Sequence, residues 1–121
     1  MKTHESSDKF QAGIEMFNAR RFFDSHEVWE EIWLHSAEPD KAYLQGIIQI
    51  AAAFHHYLRG NTTGTRTLLN AGLRRLATCP GDFRGMELES LRETARQWAG
   101  LLERGSDPGQ ERIPQISRAK K

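Results

Sequence analysis

Apolar residues recur along this chain every three or four positions rather than every second one, and that period belongs to helices. Phe10, Ile14 and Phe17 stand at i, i+4 and i+7 behind the cap-type residues Ser6, Ser7 and Asp8, which predicts a first amphipathic helix near 7–20. Asp24, with Glu27 three residues on, reads as a capping box for a second helix over 24–36. Pro39 suits the first turn of a third helix over 39–59, which Gly60-Asn61 stops. Thr62 or Thr63 is placed to cap a fourth over 62–78, whose Leu68, Leu69, Leu73 and Leu76 precede Cys79-Pro80-Gly81. Leu88, Leu91, Ala95, Trp98 and Leu102 form the cleanest stripe, a fifth helix over 86–104 closed by Gly105. No stretch alternates with period two for long enough to predict a strand. The expected fold is all-α, a single-domain bundle of about five antiparallel helices over residues 1–105. Residues 106–121 carry two prolines and a basic end and are expected to form a flexible tail, in which Ile113-Pro114-Gln115-Ile116 is suited to docking as a short extended piece.

The second helix departs from the simple pattern. On its projection Phe22, Phe23, His26, Trp29, Glu30, Trp33 and Leu34 share one broad arc, with His26 and Glu30 near the middle and one turn apart. Glu27, Glu31 and His35 take the opposite arc, and Val28 with Ile32 makes a second apolar strip that needs its own cover. On the third helix Leu44, Ile47, Ile48, Ala51, Phe54 and Leu58 define the apolar arc and His55 projects at its edge. Gln45, Gln49 and His56 run along another strip with Ala52 and Ala53, either as a solvated face or as a place where a ligand or helix approaches closely.

Composition narrows the partners. The 121 residues include 17 basic and 16 acidic side chains, a formal charge of +1, so no overall field recruits nucleic acid or an anionic membrane. The small clusters Arg20-Arg21 and Arg74-Arg75 lack interleaved aromatics and read as solvated surface. The chain opens on polar residues with no hydrophobic signal core, and the best apolar run, Ile47 to Phe54, is too short to span a bilayer. The one cysteine, Cys79, fits a reducing compartment and reads as a small buried apolar residue. A cytoplasmic protein with neither a nucleic-acid nor a membrane partner is expected.

The candidate chemistry sits between the second and third helices. His26 and Glu30 are the candidate catalytic pair, the carboxylate orienting an imidazole that serves as general acid or base. Trp33, Gln45, His55, Glu27, Gln49 and His56 are the candidate binding residues, with a small molecule as the expected ligand. His26, Glu30 and His55 also offer nitrogen and oxygen donors from two helices, so a mononuclear metal ion is an option but not the favoured one, and the cofactor stays unknown. No glutamate lies three residues before His26 or His55, which excludes the paired Glu-x-x-His signature of di-metal bundles. Phosphate-loop and serine-hydrolase motifs are absent. The other reading is a non-catalytic interaction module in which His26, Glu30 and Trp33 form a structural network. In either case the Val28 and Ile32 strip leads us to expect a symmetric homodimer.

Taken together, Phe17-Asn18, the run Phe23 to Trp33, Leu44-Gln45-Gly46-Ile47-Ile48-Gln49, His55-His56 and Gly60-Asn61 with Gly64 resemble the DUF309 family. The family's hallmark His-x-x-x-Glu-x-x-Trp is met by His26, Glu30 and Trp33, and the resemblance runs from the first helix to the fifth. It implies an all-helical bundle with an active-site cleft around that motif. It supplies no substrate, because the family is a domain of unknown function.

Overall fold

The computed structural model describes residues 2–119, with side chains from Asp8 onward. Five helices carry the fold: α1 (Lys2–Asn18), α2 (Phe22–Leu34), α3 (Asp40–Leu58), α4 (Thr62–Leu76) and α5 (Leu88–Glu103). The first four each pack on the next in sequence, α4 packs on α5, and the class is the all-α one that the periodicity predicts. No helix among the described residues is long and apolar enough to cross a membrane.

Several helix starts differ from the expected ones, and each has a local cause. The backbone of α1 is already helical at Lys2, so Asp8 lies inside it, while the side chains of Ser6 and Ser7 fall outside the described residues. The capping box at Asp24 does not form. Helix α2 begins two residues earlier, and Asp24 Oδ2 instead accepts from Arg21 Nε at 2.9 Å. Asn61, not Thr62 or Thr63, caps α4, its Oδ1 accepting from the Gly64 N–H at 2.9 Å. Glu87 does the same for α5 through the Ser90 N–H at 3.1 Å.

The core is built around aromatic rings from four helices. Phe17 meets Phe22 and Phe54 edge-on, and Phe54 meets Trp98 at a centroid distance of 5.0 Å. Trp29 of α2 is fully buried, and its indole N–H donates to the Phe10 carbonyl of α1 at 3.2 Å. Gly13 makes this seat possible, since a Cβ there would fall 2.1 Å from Trp29 Nε1. A second close approach joins α3 to α4, where Gly46 and Gly72 face each other and a Cβ on Gly72 would lie 2.8 Å from the Gly46 carbonyl oxygen. At the α4–α5 corner Arg92 is buried, and its Nη1 donates to the carbonyls of Leu76 and Cys79, both at 2.6 Å. Its Nη2 reaches Glu89 Oε1 at the same distance.

Two features correct the expectations. A small antiparallel sheet, β1 (Asp82–Phe83), β2 (Met86–Glu87) and β3 (Ser117–Arg118), closes one end of the molecule. Its first two strands turn through Arg84 and Gly85, both at positive φ. With two residues per strand, no alternation existed to be read. The segment expected to be a flexible tail is packed instead: Ile113 and Ile116 are buried, and β3 pairs with β2. The Asn18 side chain exchanges hydrogen bonds with the Ile116 backbone, donating at 3.0 Å and accepting at 2.7 Å, and Trp98 donates to the Arg112 carbonyl at 3.0 Å. Its anchors are long-range, so local periodicity does not register them.

On the apolar strip of α2 that led to a dimer being expected, Ile32 is buried in the same core and Val28 is half-buried. Among the described residues, the large apolar side chains left exposed are Phe23, Leu34 and Leu58.

The Gly13 seat carries a test. Gly13→Ala forces a Cβ into a fully buried indole that has no room to retreat, and should cost about 1–3 kcal/mol. Gly100→Ala, whose nearest contact would be an ordinary 3.6 Å from Arg104, should be neutral or stabilising by up to about 1 kcal/mol. Thermal melting of the two variants beside the parent measures the contrast.

Candidate functional site

Seating Trp29 over Gly13 fixes how α2 is rotated. The buried face becomes Phe22, Ser25, Trp29 and Ile32. His26 and Glu30 therefore do not sit in the middle of the buried arc, as the projection suggested. They lie on its outer shoulder, with side chains 26% and 48% exposed. A projection weights every aromatic alike, whereas the fold buries Trp29 and leaves Phe23 54% exposed.

On that shoulder His26, Glu27 and Glu30 come together, each offering a ligand atom within 4.8 Å of the others. His26 Nε2 lies 3.7 Å from Glu30 Oε2, too long for a hydrogen bond. The ring's other nitrogen, Nδ1, is enclosed and has no hydrogen-bond partner among the described residues. Phe23, one turn before His26, stacks on the imidazole at 6.1 Å and 22°. The Phe23 ring also meets His55 of α3 at 5.6 Å, and His55 touches His56 edge-on. Burial first, then the nearby charges of Arg59, His56 and His26, hold the His55 imidazole below the usual histidine range.

The remaining candidates divide. Trp33, half-buried one turn beyond Glu30, carries the Lys41 ammonium over its ring at 4.5 Å. His56 is engaged elsewhere, with Nδ1 3.2 Å from the Asn61 side-chain nitrogen at the start of α4. Gln45 and Gln49 are half-buried on the same strip of α3 as His56, and the enclosed Oε1 of Gln49 has no partner among the described residues. No hydrogen bond or ion pair among the described residues joins Gln45, Gln49 or His56 to the His26 cluster. Phe23 and Lys41 were not among the expected site residues. The signal for Phe23 was its place three residues before His26, and Lys41 stands one turn ahead of Gln45 on the α2-facing side of α3.

The helices that build this shoulder, from Phe10 through Leu68, match the family model of DUF309, described as a domain of unknown function. Residues 10–68 form a DUF309 domain. The chain is 32% identical over 93 residues to an uncharacterized protein of Aquifex aeolicus (strain VF5), a match that covers 76% of this chain and 28% of that protein. It is 36% identical over 62 residues to the uncharacterized protein YpuF of Bacillus subtilis (strain 168), covering 50% of this chain and 36% of that one. The chain thus spans about a third of the length of the curated relatives it matches.

Cys79 has no place in this site. It is buried beside Arg92 at the far end of α4, and burial raises its thiol to about 11 despite that guanidinium. Alkylation of the folded protein at pH 8 should be slow, with full reactivity recovered in denaturant; equal rates in both conditions would contradict the burial.

The exposure of the His26 and Glu30 pair also sets its energetic weight. An i, i+4 pair open to solvent contributes about 0.3–0.5 kcal/mol, well short of a buried network. His26→Ala or Glu30→Gln should therefore cost less than about 1 kcal/mol. The double change His26→Leu with Glu30→Leu should be neutral or stabilising by thermal melting. A double variant that melts far below either single one would restore the structural-network reading.

Proposed function

We propose that the shoulder of α2 in this DUF309 domain is a ligand-binding site and that a divalent cation is the ligand its donors suit best. The observation that carries this reading is the convergence of one imidazole and two carboxylates, His26, Glu27 and Glu30, within 4.8 Å on a solvent-reaching surface. Donors that share one ion at about 2.0–2.2 Å stand roughly 3–4 Å from one another, so the 3.7 Å gap between His26 and Glu30 is near what a common ion requires. One nitrogen with two oxygens is a donor set for zinc, manganese, iron or cobalt rather than for calcium.

The same geometry weighs against the other two readings. A general base oriented by Glu30 would donate a ring N–H to that carboxylate, which sets the tautomer, and the 3.7 Å separation is longer than a hydrogen bond. A structural network calls for burial, and Glu30 is half exposed. Because all three donors come from one helix, they hold an ion from one side, and its other positions stay open to water or a small molecule.

Calorimetric titration of the metal-free full chain with Co²⁺ or Zn²⁺ tests the reading. One ion per chain should bind, and His26→Ala should abolish binding. Absence of saturable binding at millimolar ion, or unchanged binding in the His26→Ala variant, overturns it.

A further inference from the structure

We propose that His55 of α3 completes this site from across the helix pair, and that Phe23 is the residue that stands between it and the α2 donors. The inference rests on the cation reading above and adds to it a fourth ligand and a movable wedge.

Its starting point is that the α2 cluster is one-sided. His26, Glu27 and Glu30 belong to little more than one turn of a single helix. The neighbouring donors are mostly committed: the Asp24 carboxylate holds Arg21 at 2.9 Å, and His56 Nδ1 faces the Asn61 side chain at 3.2 Å. His55 is different. It stands at the α2-facing edge of α3, on the side of Leu44, Ile48 and Ala51, is half-buried, and has ring contacts but no hydrogen bond or ion pair among the described residues. One aromatic ring touches both, since Phe23 contacts the His26 imidazole at 6.1 Å and the His55 imidazole at 5.6 Å.

Phe23 itself is out of place as a core residue. A phenyl ring 54% exposed on a helix shoulder has little burial to lose when it turns aside. Exposed side chains change rotamer in about nanoseconds, so the ring presents no lasting barrier. Turning it away vacates the place where it touches both imidazoles. A nitrogen ligand contributed by α3 converts a weak site on one helix into one that joins two, and binding there must also tie α2 to α3.

The test uses metal-free full chain and Co²⁺, whose visible absorption reports ligand number and type. We compare the parent with His26→Ala, His55→Ala, His55→Gln, Phe23→Ala and the double variant Phe23→Ala with His55→Ala, after circular dichroism has shown each to be folded. The two His55 variants should bind at least ten-fold more weakly than the parent, give an altered Co²⁺ spectrum and gain less in melting temperature from the ion. Phe23→Ala should bind as tightly as the parent or more so, and the double variant should fall to the His55→Ala level. His55 variants that match the parent in affinity and spectrum, while His26→Ala loses binding, would overturn this inference and leave the cation reading intact. Weaker binding by Phe23→Ala would overturn the wedge. A parent that binds no Co²⁺ would overturn the cation reading itself.

Discussion

The contact on which the rest of α2 depends is an indole laid on a glycine. Trp29 enters the surface of α1 where Gly13 offers no side chain, and its N–H finds the Phe10 carbonyl. A large flat ring with one donor has few places where both its apolar area and its polar edge are satisfied. Once it is seated, the azimuth of α2 follows. Phe22, Ser25 and Ile32 turn inward with it, and His26, Glu30 and Phe23 are carried to the shoulder facing α3. The chemistry of that shoulder thus depends on a residue that belongs to the core.

A second constraint lies on the far side of α3. Gly46 and Gly72 let α3 and α4 approach until each backbone occupies the space where the other's Cβ would stand. Helix α3 is therefore fixed against α4 by backbone shape and against α2 by side chains, among them Phe22 and Phe54, whose rings meet at a tilt of 37°. Phe23 and His55 consequently meet between two helices whose packing is set by other contacts. Movement there falls to the side chains.

Much of this was legible from the residues alone. Helix number and the α5 stripe follow from spacing, because Leu88, Leu91, Ala95, Trp98 and Leu102 have no other face to bury. The motif of His26, Glu30 and Trp33 was legible too, but its depth was not. Depth depends on which of several aromatics wins the core, and that was decided by Gly13, sixteen residues away. Helix starts were misread where a side chain had two suitors, as with Asp24, taken by Arg21. The C-terminal segment was misread because its partners, Asn18, Gly85 and the β2 edge, are distant in sequence. What sequence periodicity measures is the neighbourhood of a residue along one helix, and these contacts lie outside it.

The guanidinium of Arg92 extends this picture to the other end of the molecule. Two of the last carbonyls around the end of α4 meet a cation on α5 rather than water, at the pole of the helix where partial negative charge collects. Most ionic clasps open when acid or alkali discharges one partner. These two bonds join a guanidinium to backbone oxygens that carry no titratable proton. Acid that protonates Glu89 removes only the third contact of this guanidinium, and the two bonds that tie α5 to the end of α4 are left in place.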